Sequence, residues 1–139
     1  MKIRPGDNYS DQQVYIGWTT NYATPMKSGV PFYQHESGIL VVRSPTDTNY
    51  QIFCKDETEQ KITYYDTGIV FNSTPRTIEI IADSVGDKFW IRLDTYKLKS
   101  YAEHIPKPGT QLAFHLQTFT TVKDIKQIDL FGAQLTQSI

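Results

Sequence analysis

The sequence contains a single cysteine, Cys54, so no intramolecular disulfide can form and stability has to come from a packed core. Small scaffolds stapled by disulfides are excluded. Long apolar runs are also missing. The longest are Gly38 to Val42 and Phe89 to Leu93, far short of the roughly 18 to 20 residues that span a bilayer as a helix. No membrane partner is expected. The N-terminus, Met1 to Gln13, is polar and carries Pro5, Gly6 and Asp7 where a signal peptide would be apolar. Asn8-Tyr9-Ser10 and Asn72-Ser73-Thr74 are therefore taken as chance matches to the glycosylation pattern. This is the profile of a cytoplasmic or virion-associated protein, and equally of a piece cut from a longer chain.

An excess of either charge is absent too: 14 Lys and Arg stand against 15 Asp and Glu, for a formal net charge of -1. Global charge singles out no partner. The eight glycines are scattered, and no phosphate-binding loop, dinucleotide fingerprint or Gly-x-Ser-x-Gly elbow occurs. Three histidines and Cys54 lie at distant, irregular spacing, and the pair His35-Glu36 lacks the second histidine of a metalloprotease helix. No metal and no other cofactor are expected. Asp56, Glu57 and Glu59 form a local acidic turn rather than a pair facing across a cleft. Cys54 ends an apolar strand and reads as a small buried hydrophobe despite its neighbour Lys55. No catalytic residue emerges, and the chain is not expected to be an enzyme.

What is present is a large aromatic content, nine Tyr, seven Phe and two Trp, within 139 residues. That is too apolar for disorder, and the length fits one domain over residues 1–139. Two-residue alternation dominates. Val14, Ile16 and Trp18 share one face of a strand, with Tyr15 on the other. Gly38 to Arg43 reads as a more buried strand, since Ile39 to Val42 are consecutive apolar residues. Tyr50, Ile52 and Cys54 alternate, as do Ile62 and Tyr64 against Thr63 and Tyr65. Ile69 to Phe71 makes a further short piece. Ile78 and Ile80 alternate with Glu79, Phe89, Ile91 and Leu93 with Trp90 and Arg92, Tyr96 and Leu98 with Lys97, and Leu112, Phe114 and Leu116 with His115. Turn residues such as Ser44-Pro45, Asp66-Thr67-Gly68, Asn72 to Pro75 and Val85-Gly86-Asp87 separate them at about ten-residue intervals.

This pattern predicts an all-β antiparallel β-sandwich, jelly-roll-like in preference to a closed barrel, with eight to ten short strands and at most one short helix. The three-residue spacing of Val122, Ile125, Ile128 and Phe131 would suit that helix. The alternation of Ile128 and Leu130 with Gln127 and Asp129 favours a closing strand instead. The stretch Asp124-Ile125-Lys126-Gln127-Ile128-Asp129-Leu130 resembles the last strand of jelly-roll carbohydrate-binding modules. It holds no diagnostic motif, so the resemblance implies no role for any residue.

The aromatic surplus carries the functional expectation. Tyr15, Tyr65 and Trp90 point away from the apolar partners in their strands, and Tyr22, Phe32 and Tyr33 fall in the long weakly patterned stretch 19–37. Tyr and Trp offer rigid area with a polar edge, suited to sugar rings and protein surfaces. The expectation is a recognition or structural module, as in receptor-binding heads of viral or phage fibres. Its partner would be a glycan or protein receptor, bound by Trp18, Tyr22, Phe32, Tyr33 and Trp90 with His35 and Glu36 as polar partners. A homo-oligomer is expected to cover exposed strand edges. The alternative is a single-stranded nucleic-acid-binding barrel, in which a base stacks on Trp90 and phosphates meet Arg92, Lys97 and Lys99.

Overall fold

The computed structural model describes residues 1–20, 37–56, 61–82, 88–94, 99–120 and 127–132. Within them the alternating segments form ten strands: β1 (Lys2–Pro5), β2 (Gln12–Thr19), β3 (Gly38–Arg43), β4 (Asn49–Lys55), β5 (Ile62–Val70), β6 (Arg76–Ala82), β7 (Phe89–Leu93), β8 (Lys99–Tyr101), β9 (Ala113–Thr120) and β10 (Ile128–Phe131). No helix occurs among the described residues. The strands make two five-stranded sheets, ordered β10-β1-β6-β7-β8 and β5-β4-β3-β2-β9, and every pairing is antiparallel. The fold is all-β, as the sequence pattern requires. In connectivity, β2 to β5 run as one meander and β6 to β8 as another. β1, β9 and β10 add to them through pairings between distant parts of the chain, such as Gln12 with Thr120 and Lys2 with Phe131.

One apolar cluster draws on both sheets. Ile3, Ile78, Phe89, Ile91, Leu93 and Tyr101 come from the first, and Val14, Ile16, Ile39, Val41, Tyr50, Ile52, Cys54 and Ile69 from the second, joined by Phe71. Burying each aliphatic or phenyl side chain contributes about 1.5–3 kcal/mol, so the shared cluster is the main force holding the sheets face to face. Polar contacts close its margins. Arg43, almost fully buried, donates to the carbonyls of Asp47, Ser10 and Gln12 at 3.0, 2.9 and 2.6 Å. Its guanidinium lies 4.7 Å from the centroid of Phe71. That one side chain ties the end of β3 to the segment before β2 and to the Ser44–Asp47 turn. Asp94, at φ 56°, accepts from Arg76 Nη1 at 2.8 Å and from the Thr77 amide at 2.7 Å, which fixes the end of the β6–β7 pair. Thr63 and His104 meet through Oγ1 and Nδ1, and the rings of Tyr65 and Tyr101 lie 4.8 Å apart, joining β5 to β8 across the sandwich.

The outer face of the β5-β4-β3-β2-β9 sheet carries a second apolar cluster, Tyr15, Leu40, Val42 and Phe53, each fully buried. Gln13, Gln51 and Lys55 are buried beside it. Every residue of β3 is consequently buried, which accounts for its unbroken apolar run. Tyr15 therefore departs from the expectation of a free outward ring: it points outward, as alternation requires, onto a face that is covered.

Three further departures have local causes. Tyr65 packs on the shared core, while Ile62 and Tyr64 are exposed, the reverse of the expected phase. β5 has apolar residues on both faces, and only its pairing with β4, Ile52 opposite Tyr65, decides which face turns inward. The Asp66-Thr67-Gly68 segment, expected as a turn, is an irregularity inside β5, where the register against β4 shifts between Asn49 and Gln51. Gly68 adopts φ 71° and its amide donates to Asp66 Oδ1 at 2.7 Å; Thr67 Oγ1 donates to the Tyr50 carbonyl at 2.6 Å. The same turn chemistry thus builds a bulge within one long strand. β1 was hidden by its single aliphatic residue, Ile3, which is fully buried between β10 and β6.

Candidate recognition face

β6 and β7 form a hairpin pair whose register puts Ile78 opposite Leu93, Glu79 opposite Arg92 and Ile81 opposite Trp90. Phe89, Ile91 and Leu93 are buried, and this anchored side forces Trp90 and Arg92 outward, as the sequence pattern predicts. Trp90 is half-buried. Its cross-strand neighbour Ile81 is 46% exposed, so the two make a small apolar surface on the outer face of the β10-β1-β6-β7-β8 sheet. By register, Phe131 and Lys2 share that face.

Charge frames the indole. Lys88 Nζ lies 5.3 Å from the Trp90 ring centroid, and Arg92 Nη2 donates to Glu79 Oε1 at 3.0 Å with both side chains substantially exposed. Exposed cation–π contacts are worth about 0.5–1 kcal/mol and surface ion pairs about 0.2–1 kcal/mol. Both are therefore easily exchanged for contacts to a ligand. A planar ring or the apolar face of a sugar can take the place of Lys88 over the indole.

The expected contact residues do not converge here. Trp18 lies near the end of β2 on its inner face, packed against the shared core with Phe114 edge-on at 5.9 Å. Trp90 stands on the outer face of the other sheet, so the two indoles do not share a surface. Tyr22, Phe32, Tyr33, His35 and Glu36 lie outside the described residues, as does Lys97. Lys99 pairs with Ile91 through its backbone, and its side chain is outside the description. Of the nucleic-acid set, Trp90 and Arg92 do share a face. Sequence reasoning missed Ile81. The signal for it was available, because alternation from inward Ile78 and Ile80 turns Ile81 outward, the direction alternation gives Trp90.

The reactive groups elsewhere are quiet. Burial pushes the Cys54 thiol up to about 12, so Lys55 does not activate it. His115 Nε2 contacts Gln117 Oε1 at 2.6 Å. Among the described residues no group of three or more His, Cys, Asp or Glu is placed to hold a metal ion, and no helix is long and apolar enough to cross a membrane. Comparison with protein-family models, with curated proteins and with solved structures finds no match. Fold and face together define an all-β protein of two antiparallel sheets, one outer face covered over β2 to β4 and the other bearing an indole with cationic neighbours.

Proposed function

We propose that the protein is a non-enzymatic recognition or structural module that binds a glycan or a protein surface through Trp90 and its neighbours. Receptor-binding heads of viral or phage fibres supply the analogy, which is one of fold alone. The supporting observation is the outward Trp90–Ile81 pair on an open sheet face, with Lys88 over the indole and Arg92 paired to Glu79 at its border. Tryptophan is enriched among the residues that dominate such binding, because it combines large rigid area with a donor edge.

The test is a glycan-array and receptor pull-down comparison of the chain with its Trp90→Ala variant. The variant is expected to lose about tenfold or more in affinity, equivalent to about 1.4 kcal/mol. A Trp18→Phe background leaves Trp90 as the sole indole, so ligand should shift its emission. Binding that survives Trp90→Ala would remove this face from the reading. The second reading rests on the shared face of Trp90 and Arg92. It requires salt-sensitive quenching of the same indole by a single-stranded oligonucleotide, with Arg92 released from Glu79. An emission spectrum unchanged by oligonucleotide at low salt eliminates it.

A further inference from the structure

Edge strands expose unpaired backbone, and monomeric proteins blunt them with Lys, Pro, bulges or short length. Among the described strands the four edges are treated differently. β8 has three residues and β10 four, and β10 carries Asp129 beside Arg4. β9 is half-buried along most of its length. β5 is the longest at nine residues, and Ile62–Val70 contains no Lys, Arg or Pro. Its one charge, Asp66, is engaged by the Gly68 amide and by Asn49 Nδ2 at 3.0 Å. The irregularity at Gly68 interrupts the strand's C-terminal part, leaving Ile62–Asp66 as the regular ladder against β4. On the outer face of that ladder Ile62 is 38% and Tyr64 44% exposed.

We propose that this half of β5 pairs antiparallel with β5 of a second copy of the chain across a two-fold axis, joining the two β5-β4-β3-β2-β9 sheets. The side-chain pattern selects both the occupant and the register. An axis normal to the sheet opposes residues of the same face. Through Thr63, it sets Ile62 against Tyr64 of the partner subunit and Tyr64 against Ile62 of the partner subunit, two apolar pairs from one strand sequence. Through Tyr64 or Tyr65, it sets Asp66 against an apolar side chain, and through Asp66 it opposes two carboxylates. Of the registers that pair both Ile62 and Tyr64 within the ladder, only the one through Thr63 leaves Asp66 outside the paired segment. The complement to this edge is therefore the edge itself. A net charge of -1 per copy opposes association little. The contact is smaller than a standard interface of about 800 Å² per partner, which makes the dimer reversible.

Sedimentation velocity on the full chain, from low micromolar to near-millimolar concentration, tests this. The weight-average mass is expected to climb from 16.0 kDa toward twice that value. Ile62→Lys and Tyr64→Lys, both at exposed positions, should each hold the chain at monomer mass with an unchanged circular dichroism spectrum. Ile81→Lys, on the other sheet, should dimerise as before. Thr63→Cys in a Cys54→Ser background should cross-link to its own copy under mild oxidation, and Thr67→Cys should not. A chain that stays monomeric throughout, or one that associates equally in both lysine variants, overturns the proposal. Association abolished by Ile81→Lys instead would transfer the interface to the recognition face and also overturn it.

Discussion

The outer faces of the two sheets are built from the same alternating pattern and end in different environments. On the β5-β4-β3-β2-β9 sheet, Tyr15, Leu40, Val42 and Phe53 have no exposed surface. On the β10-β1-β6-β7-β8 sheet, Ile81, Trp90 and Arg92 reach solvent, and Lys88 rests on the indole. An outward ring in a half-apolar strand is therefore not by itself a binding ring. Tyr15 and Trp90 both point away from the shared core, and Tyr15 goes into packing. The distinguishing feature is the neighbouring strand: β2 lies beside β3, which is apolar on both faces, whereas β7 lies beside β6, whose outer face carries Glu79.

Mutation can break or sharpen that contrast. Phe53→Ala empties the covered face and should cost about 3–5 kcal/mol, read as a fall in the denaturant midpoint. If it costs no more than a surface change, the covered face is not a second core. Gly17→Ala comes next. Gly17 lies on the same face at φ 150°, and a Cβ there would collide with the carbonyl oxygen of Ile39. A loss of about 1–3 kcal/mol is expected from the strain, with the β2–β3 amides exchanging faster with solvent. Trp90→Ala on the open face should change stability by only about 1 kcal/mol while weakening ligand binding as described above. A stability loss as large as that of Phe53→Ala would mean that Trp90 is a packing residue.

The smallest effect is a pH dependence at the rim of the covered sheet. The Gly68 amide, then the Asn49 and Gln51 side chains, hold the Asp66 carboxyl below its ordinary range. Its folded value lies below the unfolded value, so its stabilising contribution is complete above the unfolded value of about 4 and fades as pH falls through the folded value. Asp66→Asn should flatten this part of the acid limb of a thermal-melt profile. An acid limb identical in both proteins would show that the bonds to Gly68 and Asn49 add nothing.

Much of the secondary structure was legible because period two is a local signal. β3 and β7 match their expected limits, and β2, β4 and β6 extend theirs by a residue or two. The closing strand at Ile128–Phe131 was legible in the same way. β1 was not, since a four-residue strand with one aliphatic side chain has no period to detect. The phase of β5 was lost because Ile62 and Tyr64 compete with Tyr65 and Ile69 for the core. For the recognition face, the outward direction of Trp90 and Arg92 followed from alternation. The separation of Trp18 from Trp90 did not, since the two strands are assigned to different sheets by pairings between residues far apart in sequence.

Composition and alternation by themselves determined that this chain forms antiparallel strands without a disulfide, that β3 is covered on both sides, and that Trp90 turns away from Phe89, Ile91 and Leu93. These depend on near neighbours and on the pleat. Tertiary structure decided which outer face is closed, which side of β5 faces the core, and that Asp66 to Gly68 bends a strand instead of ending it. A strand exposes two faces and two edges to the rest of the molecule, and only the partners brought to them by the whole fold determine which remain open to solvent.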